Sequence, residues 1–84
     1  MTDSEIKEKI RGFLGKYIKE EYLDDQRDLF TEGHLNSLFA LQLVLFVEKT
    51  FNFKVGNEDL GIENFDSINS ITDFVKLKLE TIKN

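Results

Sequence analysis

The chain of 84 residues is long enough for one small domain and lies near the lower size limit for a self-sufficient hydrophobic core. It has no cysteine and a single histidine, His34, which excludes a disulfide, a cysteine nucleophile and a cysteine–histidine site for a transition metal. Sixteen acidic residues against eleven Lys and Arg residues give a net charge of −5, which disfavours nucleic-acid binding and favours basic protein partners. Taken alone, this charge also fits a domain that is merely kept soluble.

The chain shows no signal-peptide pattern, and its apolar runs are too short to cross a bilayer. It also has no proline, internal repeat or linker-like segment. We therefore expect a cytoplasmic protein that does not enter the membrane, folded as one domain over residues 1–84 and acting as a monomer.

The first predicted helix covers roughly residues 3–19. Thr2 and Glu5 have the spacing of a capping box at its start. Gly12 and Gly15 interrupt the pattern, which indicates either a close approach of another backbone or a frayed second half. The apolar residues that recur at helical spacing are Ile6, Ile10, Phe13, Leu14, Tyr17 and Ile18.

A long ordered loop is predicted from Glu20 to Asn36, because the apolar spacing loses its period and acidic residues accumulate. Leu23, Leu29 and Phe30 are the apolar residues available to anchor this loop.

A second helix begins at Asn36 or Ser37 and ends near Asn52, since Asn and Ser are preferred N-caps and a leucine-rich run follows. One helical turn is possible over residues 57–60. Ser67 is placed as the N-cap of a last helix that continues to about Ile82 and repeats Ile68, Ile71, Val75, Leu79 and Ile82. These elements predict an all-α fold, a small four-helix bundle of three longer helices and one short one.

Three interpretations of Ser37 are possible. A hydrolytic nucleophile is disfavoured, because the only histidine is three residues away in the same loop and no Gly-x-Ser-x-Gly elbow surrounds the serine. A helix start would hold a phosphate group attached to Ser37, because the first backbone N–H groups lack intrahelical partners. Alternatively, Asn36 and Ser37 only cap the helix.

The segment "DLFTEGHLNSLFALQLVLFVEKTFNFKV", residues 28–55, resembles acyl carrier proteins and peptidyl carrier proteins. In that family a Gly-x-Asp-Ser-Leu or Gly-x-x-Asp-Ser-Leu element opens the second helix, and Gly33, Asn36, Ser37 and Leu38 fall on this element. The later segment "FDSINSITDFV" resembles the start of the family's last helix. The similarity extends over nearly the whole chain.

The resemblance implies a carrier rather than an enzyme, with no catalytic residue. A metal site is not expected either, because one histidine leaves no His–His or His–Cys pair and carboxylates alone would suit at most a hard cation. A phosphopantetheinyl transferase, using coenzyme A and Mg²⁺, would attach 4′-phosphopantetheine to Ser37. The thiol of that group would carry an acyl or aminoacyl unit as a thioester. Asn36 stands where the family usually has aspartate, so it keeps the N-cap beside the cofactor and drops the negative charge.

The variant "NSLFALQLV" is also similar to a subgroup of discrete carriers for glyceryl, hydroxymalonyl, methoxymalonyl or aminomalonyl extender units of polyketide biosynthesis. That subgroup implies an acyl-activating or glyceryl-transferring enzyme, dehydrogenases for the tethered substrate, and an acyltransferase or synthase as partners. Two alternatives remain open: a D-alanyl or fatty-acid carrier, and an unmodified helical interaction module.

The second helix carries two apolar stripes. Leu38, Leu41 and Leu45 share the side of Ser37, and we expect them to stay exposed for partner enzymes, with Gln42 and Glu48 as a polar rim. Exposed leucines are also ordinary on a small protein. The wider stripe, expected to face the core, consists of Ala40, Leu43, Val44, Val47 and Phe51.

Glu58 and Asp59, with Glu63 and Asp66 nearby, form an acidic group that would steer a basic partner or simply face solvent. The sequence leaves open whether Phe39 and Phe46 face the core, and we assign neither a site role.

Overall fold

Three α-helices and three short 3-10 turns make up the computed structural model, which describes residues 2–29 and 37–82, without the side chains of Glu20, Ser37, Ile62 and Ile82. The helices are α1 (Asp3–Leu14), α2 (Ser37–Phe51) and α3 (Ile68–Ile82), and the turns are Glu20–Tyr22, Asn57–Asp59 and Ile62–Asn64. The all-α fold is therefore confirmed, with the short element reduced to 3-10 turns. A bilayer-spanning helix is absent from the described residues.

The capping box at the start of α1 is confirmed. The backbone N–H of Thr2 donates to the Glu5 carboxylate at 2.9 Å, and the Glu5 N–H donates back to the Thr2 hydroxyl oxygen at 3.2 Å. These two bonds satisfy backbone donors that a helix start leaves without intrahelical partners. The hydrogen bond from Thr2 lowers the pKa of the exposed Glu5 carboxyl.

The predicted end of the first helix at residue 19 is wrong, because α1 ends at Leu14. After Leu14, backbone hydrogen bonds also join residues three apart instead of four, and the N–H of Tyr17 donates to the Leu14 carbonyl at 2.9 Å. No heavy atom within 4 Å would meet a Cβ on Gly12. Of the two explanations for the glycines, close approach of another backbone at Gly12 is therefore excluded, and the helix loses its regular register before Ile18.

The core forms along one stripe of each helix. Its fully buried members are Ile6, Ile10 and Leu14 of α1, Leu43 and Val47 of α2, and Ile68, Ile71 and Val75 of α3. The predicted core stripe of α2 is confirmed for Leu43, Val44, Val47 and Phe51, whereas Ala40 is half-buried.

Tyr17 does not belong to the core, although the helical spacing placed it on the buried stripe. Its side chain is 57% exposed. Because α1 ends three residues earlier, the period of 3.6 residues no longer governs which way Tyr17 points.

The first part of the long loop is held against the start of α3. Leu23 and Leu29 are buried as predicted, while Phe30 lies outside the described residues. The N–H of Leu29 donates to the Asp66 carbonyl at 2.7 Å, and the N–H of Asn69 donates to the Asp25 carbonyl at 2.9 Å. The loop is thus ordered by backbone hydrogen bonds as far as the structure describes it.

Caps also define the other helix ends. Asn52, just after α2, has φ 60°, the left-handed conformation that commonly ends helices. At the start of α3, the Ser67 hydroxyl oxygen accepts a hydrogen bond from the Ser70 N–H at 3.1 Å, which confirms the predicted N-cap.

Candidate functional site

Ser37 is the first residue of α2, a helix of 15 residues. The N–H groups of a first helical turn lack intrahelical acceptors, and the helix dipole adds partial positive charge at this end. The first turn of α2 carries no acidic side chain. The backbone at Ser37 therefore suits a negatively charged group, such as a phosphodiester. Gly33, His34 and Asn36 lie outside the described residues, so the predicted cap by Asn36 stays a prediction.

An exposed apolar stripe, here called the leucine face, follows Ser37 along α2. It consists of Leu38, Leu41 and Leu45, which are 68%, 56% and 56% exposed. Gln42, between them, is exposed as well. Because Leu43 and Val47 on the opposite side are fully buried, the predicted facing of the helix is confirmed.

Two carboxylates that the sequence assigned to partner binding, Glu48 of the polar rim and Asp59 of the acidic group, have internal partners. The Glu48 carboxylate accepts a hydrogen bond from the Val55 N–H at 2.8 Å and so holds the chain after α2. Asp59 forms an ion pair with Lys78 of α3, and its side chain is 18% exposed. Both carboxylates therefore fix the fold around α2, whereas Glu58 is exposed.

A cluster of four aromatic rings joins α2 to α1 and to the turn that follows α1. Phe13 stacks on Phe46 with ring centroids 4.3 Å apart, and Tyr17 meets Phe39 edge-on at 4.8 Å. Phe39 and Phe46 are partly buried and pack against the core, which answers the question that the sequence left open. Phe13 and Tyr17, four residues apart, also contact each other, with ring centroids 5.5 Å apart. The contacts of these two rings with the rings of α2 join distant segments, so residue spacing within one helix could not predict them.

The loop that leads toward Ser37 is tied to α1 by charge. Asp25 accepts a hydrogen bond from Arg11 at 2.6 Å and lies 3.2 Å from the Lys7 ammonium. Partial burial raises the pKa of the Asp25 carboxyl, but the two cationic partners lower it further, so the pKa lies below its ordinary value.

The described residues contain no group of three or more Asp, Glu or His side chains placed to hold a metal ion. The features that the structure brings together are instead a helix start at Ser37 and the leucine face beside it.

The chain matches no model of a protein family. Over most of its length, however, it is similar to two carrier proteins. A D-alanyl carrier protein from Streptococcus uberis is 32% identical over 72 residues, which cover 84% of this chain and 91% of that protein. An aminoacyl carrier protein from Agrobacterium fabrum is 33% identical over 75 residues, covering 84% of this chain and 89% of that protein. Both relatives are carrier proteins and not enzymes.

Proposed function

This chain belongs to the family of the D-alanyl and aminoacyl carrier proteins, and we propose that Ser37 is the residue that bears its 4′-phosphopantetheine. The observation that carries the proposal is the position of Ser37 as the first residue of α2, directly before the leucine face. When bound, the group supplies the thiol that holds an acyl or aminoacyl unit as a thioester. The chain itself has no cysteine to do so.

The protein's contribution at this position is electrostatic and geometric. N–H groups without intrahelical acceptors at the start of α2, together with the helix dipole, favour a phosphodiester on Ser37. Asn36, proposed as the N-cap, would satisfy one of these donors without adding negative charge beside the phosphate.

The leucine face is proposed to be the surface on which partner enzymes dock. Leu38, Leu41 and Leu45 place three large apolar side chains in water on consecutive turns of one helix, next to the attachment residue. An exposed apolar patch rimmed by polar groups is typical of interaction sites, and Gln42 supplies such a polar group. The phosphopantetheinyl transferase and the enzymes that load or process the cargo would share this face.

Of the carboxylates predicted to bind partners, Glu58 is proposed to meet basic residues of the partner enzymes, while Glu48 and Asp59 hold the chain after α2 through their internal contacts. This contact is sensitive to salt, because raising the ionic strength from about 0.05 to about 0.5 M shortens the Debye length from roughly 14 to roughly 4 Å. Loading rates should therefore fall with salt while the folded fraction stays constant. Glu58→Gln should flatten the salt dependence.

Two cargo classes follow from separate observations. The stretch "NSLFALQLV" supports an extender unit of the glyceryl or malonyl type for polyketide biosynthesis, whereas the similarity to a D-alanyl carrier protein supports D-alanine. In the first case a glyceryl-transferring or amino-acid-adenylating enzyme loads the carrier in the cytoplasm, and dehydrogenases act on the tethered unit.

A loading assay separates these two classes. The pantetheinylated protein should be offered glycerate-derived, aminoacyl and D-alanyl donors together with their activating enzymes, and thioester formation followed by intact mass. Efficient loading only by a D-alanine-activating enzyme would overturn the extender-unit assignment and leave the role of Ser37 intact.

A further inference from the structure

A groove of about 640 Å³ lies between α1 and α2, separate from Ser37. Its floor is apolar, formed by the stacked rings of Phe13 and Phe46 with Leu45 beside them. Gly12 lines the α1 side, and a Cβ at this position would meet no heavy atom within 4 Å. The missing side chain therefore keeps the groove open above an aromatic floor.

Lysines line this groove, in a protein whose net charge is −5. Lys9 lies within α1, and Lys16 lies two residues after its end, where its N–H donates to the Phe13 carbonyl in a 3-10-type turn. At the rise of these helical turns, the backbones of the two lysines are about 10 Å apart, and Lys49 lies on the α2 side. Tyr17, after the end of α1, packs on Phe39 near the start of α2, so the two helices run antiparallel. Lys49 is thus at the same end as Lys9, and Lys16 is at the opposite end.

These three ammonium groups are exposed and have no carboxylate within 4.0 Å among the described side chains. Five other basic residues do form ion pairs, and all of them lie outside the groove: Lys7, Arg11, Arg27, Lys76 and Lys78. No described residue that lines the groove is acidic. Lys9 also interacts with the Glu5 carboxylate one turn earlier in α1 and adds to the hydrogen bond from Thr2 in lowering its pKa, whereas the charges of Lys16 and Lys49 are available to an outside group.

The placement of the cations decides between two kinds of occupant. A fatty acid has one carboxylate and would engage only one end of the groove. A protein segment with two carboxylates about 10 Å apart, and apolar side chains between them, would engage both ends and cover the floor. On a helix this corresponds to acidic residues at positions i and i+7 with leucine-like residues at i+3 and i+4.

We propose that the groove between α1 and α2 is a second docking surface, which binds an amphipathic helical segment of a partner protein with this acidic–apolar–acidic pattern. Its partner has the opposite charge to the basic enzymes proposed for the Glu58 side. Leu45 and Gln42 line the groove and also belong to the proposed docking surface around the leucine face, so a segment bound here lies against an enzyme engaged at Ser37. The docking does not require modification of Ser37.

The test uses the unmodified, ¹⁵N-labelled protein and a synthetic helical peptide with glutamates at i and i+7 around two leucines. Chemical shifts of Gly12, Phe13 and Leu45 should move most. A matched peptide with glutamine in place of both glutamates should bind at least fivefold more weakly, because the ion pairs with the lysines are lost. Absence of binding, or equal binding of both peptides, would overturn the proposal.

Variants of the protein test the same point from the other side. The double variant Lys16→Gln, Lys49→Gln should weaken binding of the glutamate peptide at least fivefold. The matched double variant Lys19→Gln, Lys54→Gln removes the same charge from exposed positions outside the groove and should bind like the parent protein. Equal weakening in both double variants would contradict a specific groove.

Gly12→Leu provides a steric test, since it places a side chain in the groove. Circular dichroism should show an intact helical fold, and the peptide should lose affinity. If the peptide kept its affinity and the chemical-shift changes centred on Leu38 and Leu41, the peptide would bind the leucine face, and the proposed groove site would be wrong. Because Ser37 is unmodified throughout, these outcomes are independent of phosphopantetheine attachment.

Discussion

The guanidinium of Arg11 donates a hydrogen bond of 2.6 Å to the carboxylate of Asp25, which joins α1 to the loop that leads toward Ser37. The backbone carbonyl of the same aspartate accepts from the N–H of Asn69 in α3. One residue therefore connects both packed helices to the loop before the proposed attachment site.

This connection makes stability depend on pH. The folded-state pKa of Asp25 is lowered, so its contribution is present above its ordinary pKa and disappears as the pH falls through the folded-state value. Asp25→Asn should reduce the free energy of unfolding at pH 7 by about 1 kcal/mol or less, because these side chains are about one-third exposed. Urea unfolding at a series of pH values should show the difference from the parent protein shrinking in acid.

Asp24→Asn is the control for this experiment. Asp24 lies 3.5 Å from Arg27 and its side chain is 73% exposed, so its removal should have little effect at any pH. A destabilisation by Asp25→Asn that stays the same from neutral to acidic pH would show that the charge of Asp25 is not the cause.

The two sides of α2 should respond differently to substitution. Leu41→Lys should change the free energy of unfolding by about 0.5 kcal/mol or less, since Leu41 is exposed, and should slow loading by partner enzymes strongly. Val47→Ala and Phe51→Ala, in the core, should cost about 1 to 5 kcal/mol through cavity formation. Denaturant unfolding and loading rates measured on the same variants would separate the effects. Equal destabilisation by Leu41→Lys and Phe51→Ala would contradict the described facing.

The end of α2 depends on the left-handed conformation of Asn52, at φ 60°. Asn52→Gly should be nearly neutral, because glycine adopts this conformation freely. Asn52→Val should destabilise the protein by about 1 to 2 kcal/mol, because a β-branched residue resists positive φ. Thermal unfolding of the two variants provides the comparison, and equal melting temperatures would show that the cap geometry does not contribute.

Local patterns predicted much of this fold. The repeat of Ile68, Ile71 and Val75 located α3, and the Thr2–Glu5 and Ser67 caps marked two helix starts, because these interactions involve residues within one or two turns of each other. The exposed and buried sides of α2 were also predictable, since a small domain cannot bury an apolar helix on all sides.

Contacts between segments distant in the sequence could not be predicted from these local patterns. Asp59 was assigned to a partner surface, yet it pairs with Lys78, and this pairing depends on how the chain after α2 folds against α3. Glu48 likewise bonds a backbone N–H seven residues later, beyond the helix end. The lysine-lined groove forms only where α1 and α2 pack together, so the pattern of either helix alone does not predict it.

The central claim, that Ser37 bears 4′-phosphopantetheine, is tested most directly by intact mass after incubation with a phosphopantetheinyl transferase, coenzyme A and Mg²⁺. The parent protein and the control Ser4→Ala should each gain the mass of one phosphopantetheinyl group. Ser37→Ala should gain none. It should remain folded by circular dichroism, because replacing a polar side chain at a helix start lowers the free energy of unfolding by only about 1 kcal/mol. A full mass gain by Ser37→Ala, or none by the parent protein, would contradict the claim, and the second result would favour an unmodified interaction module.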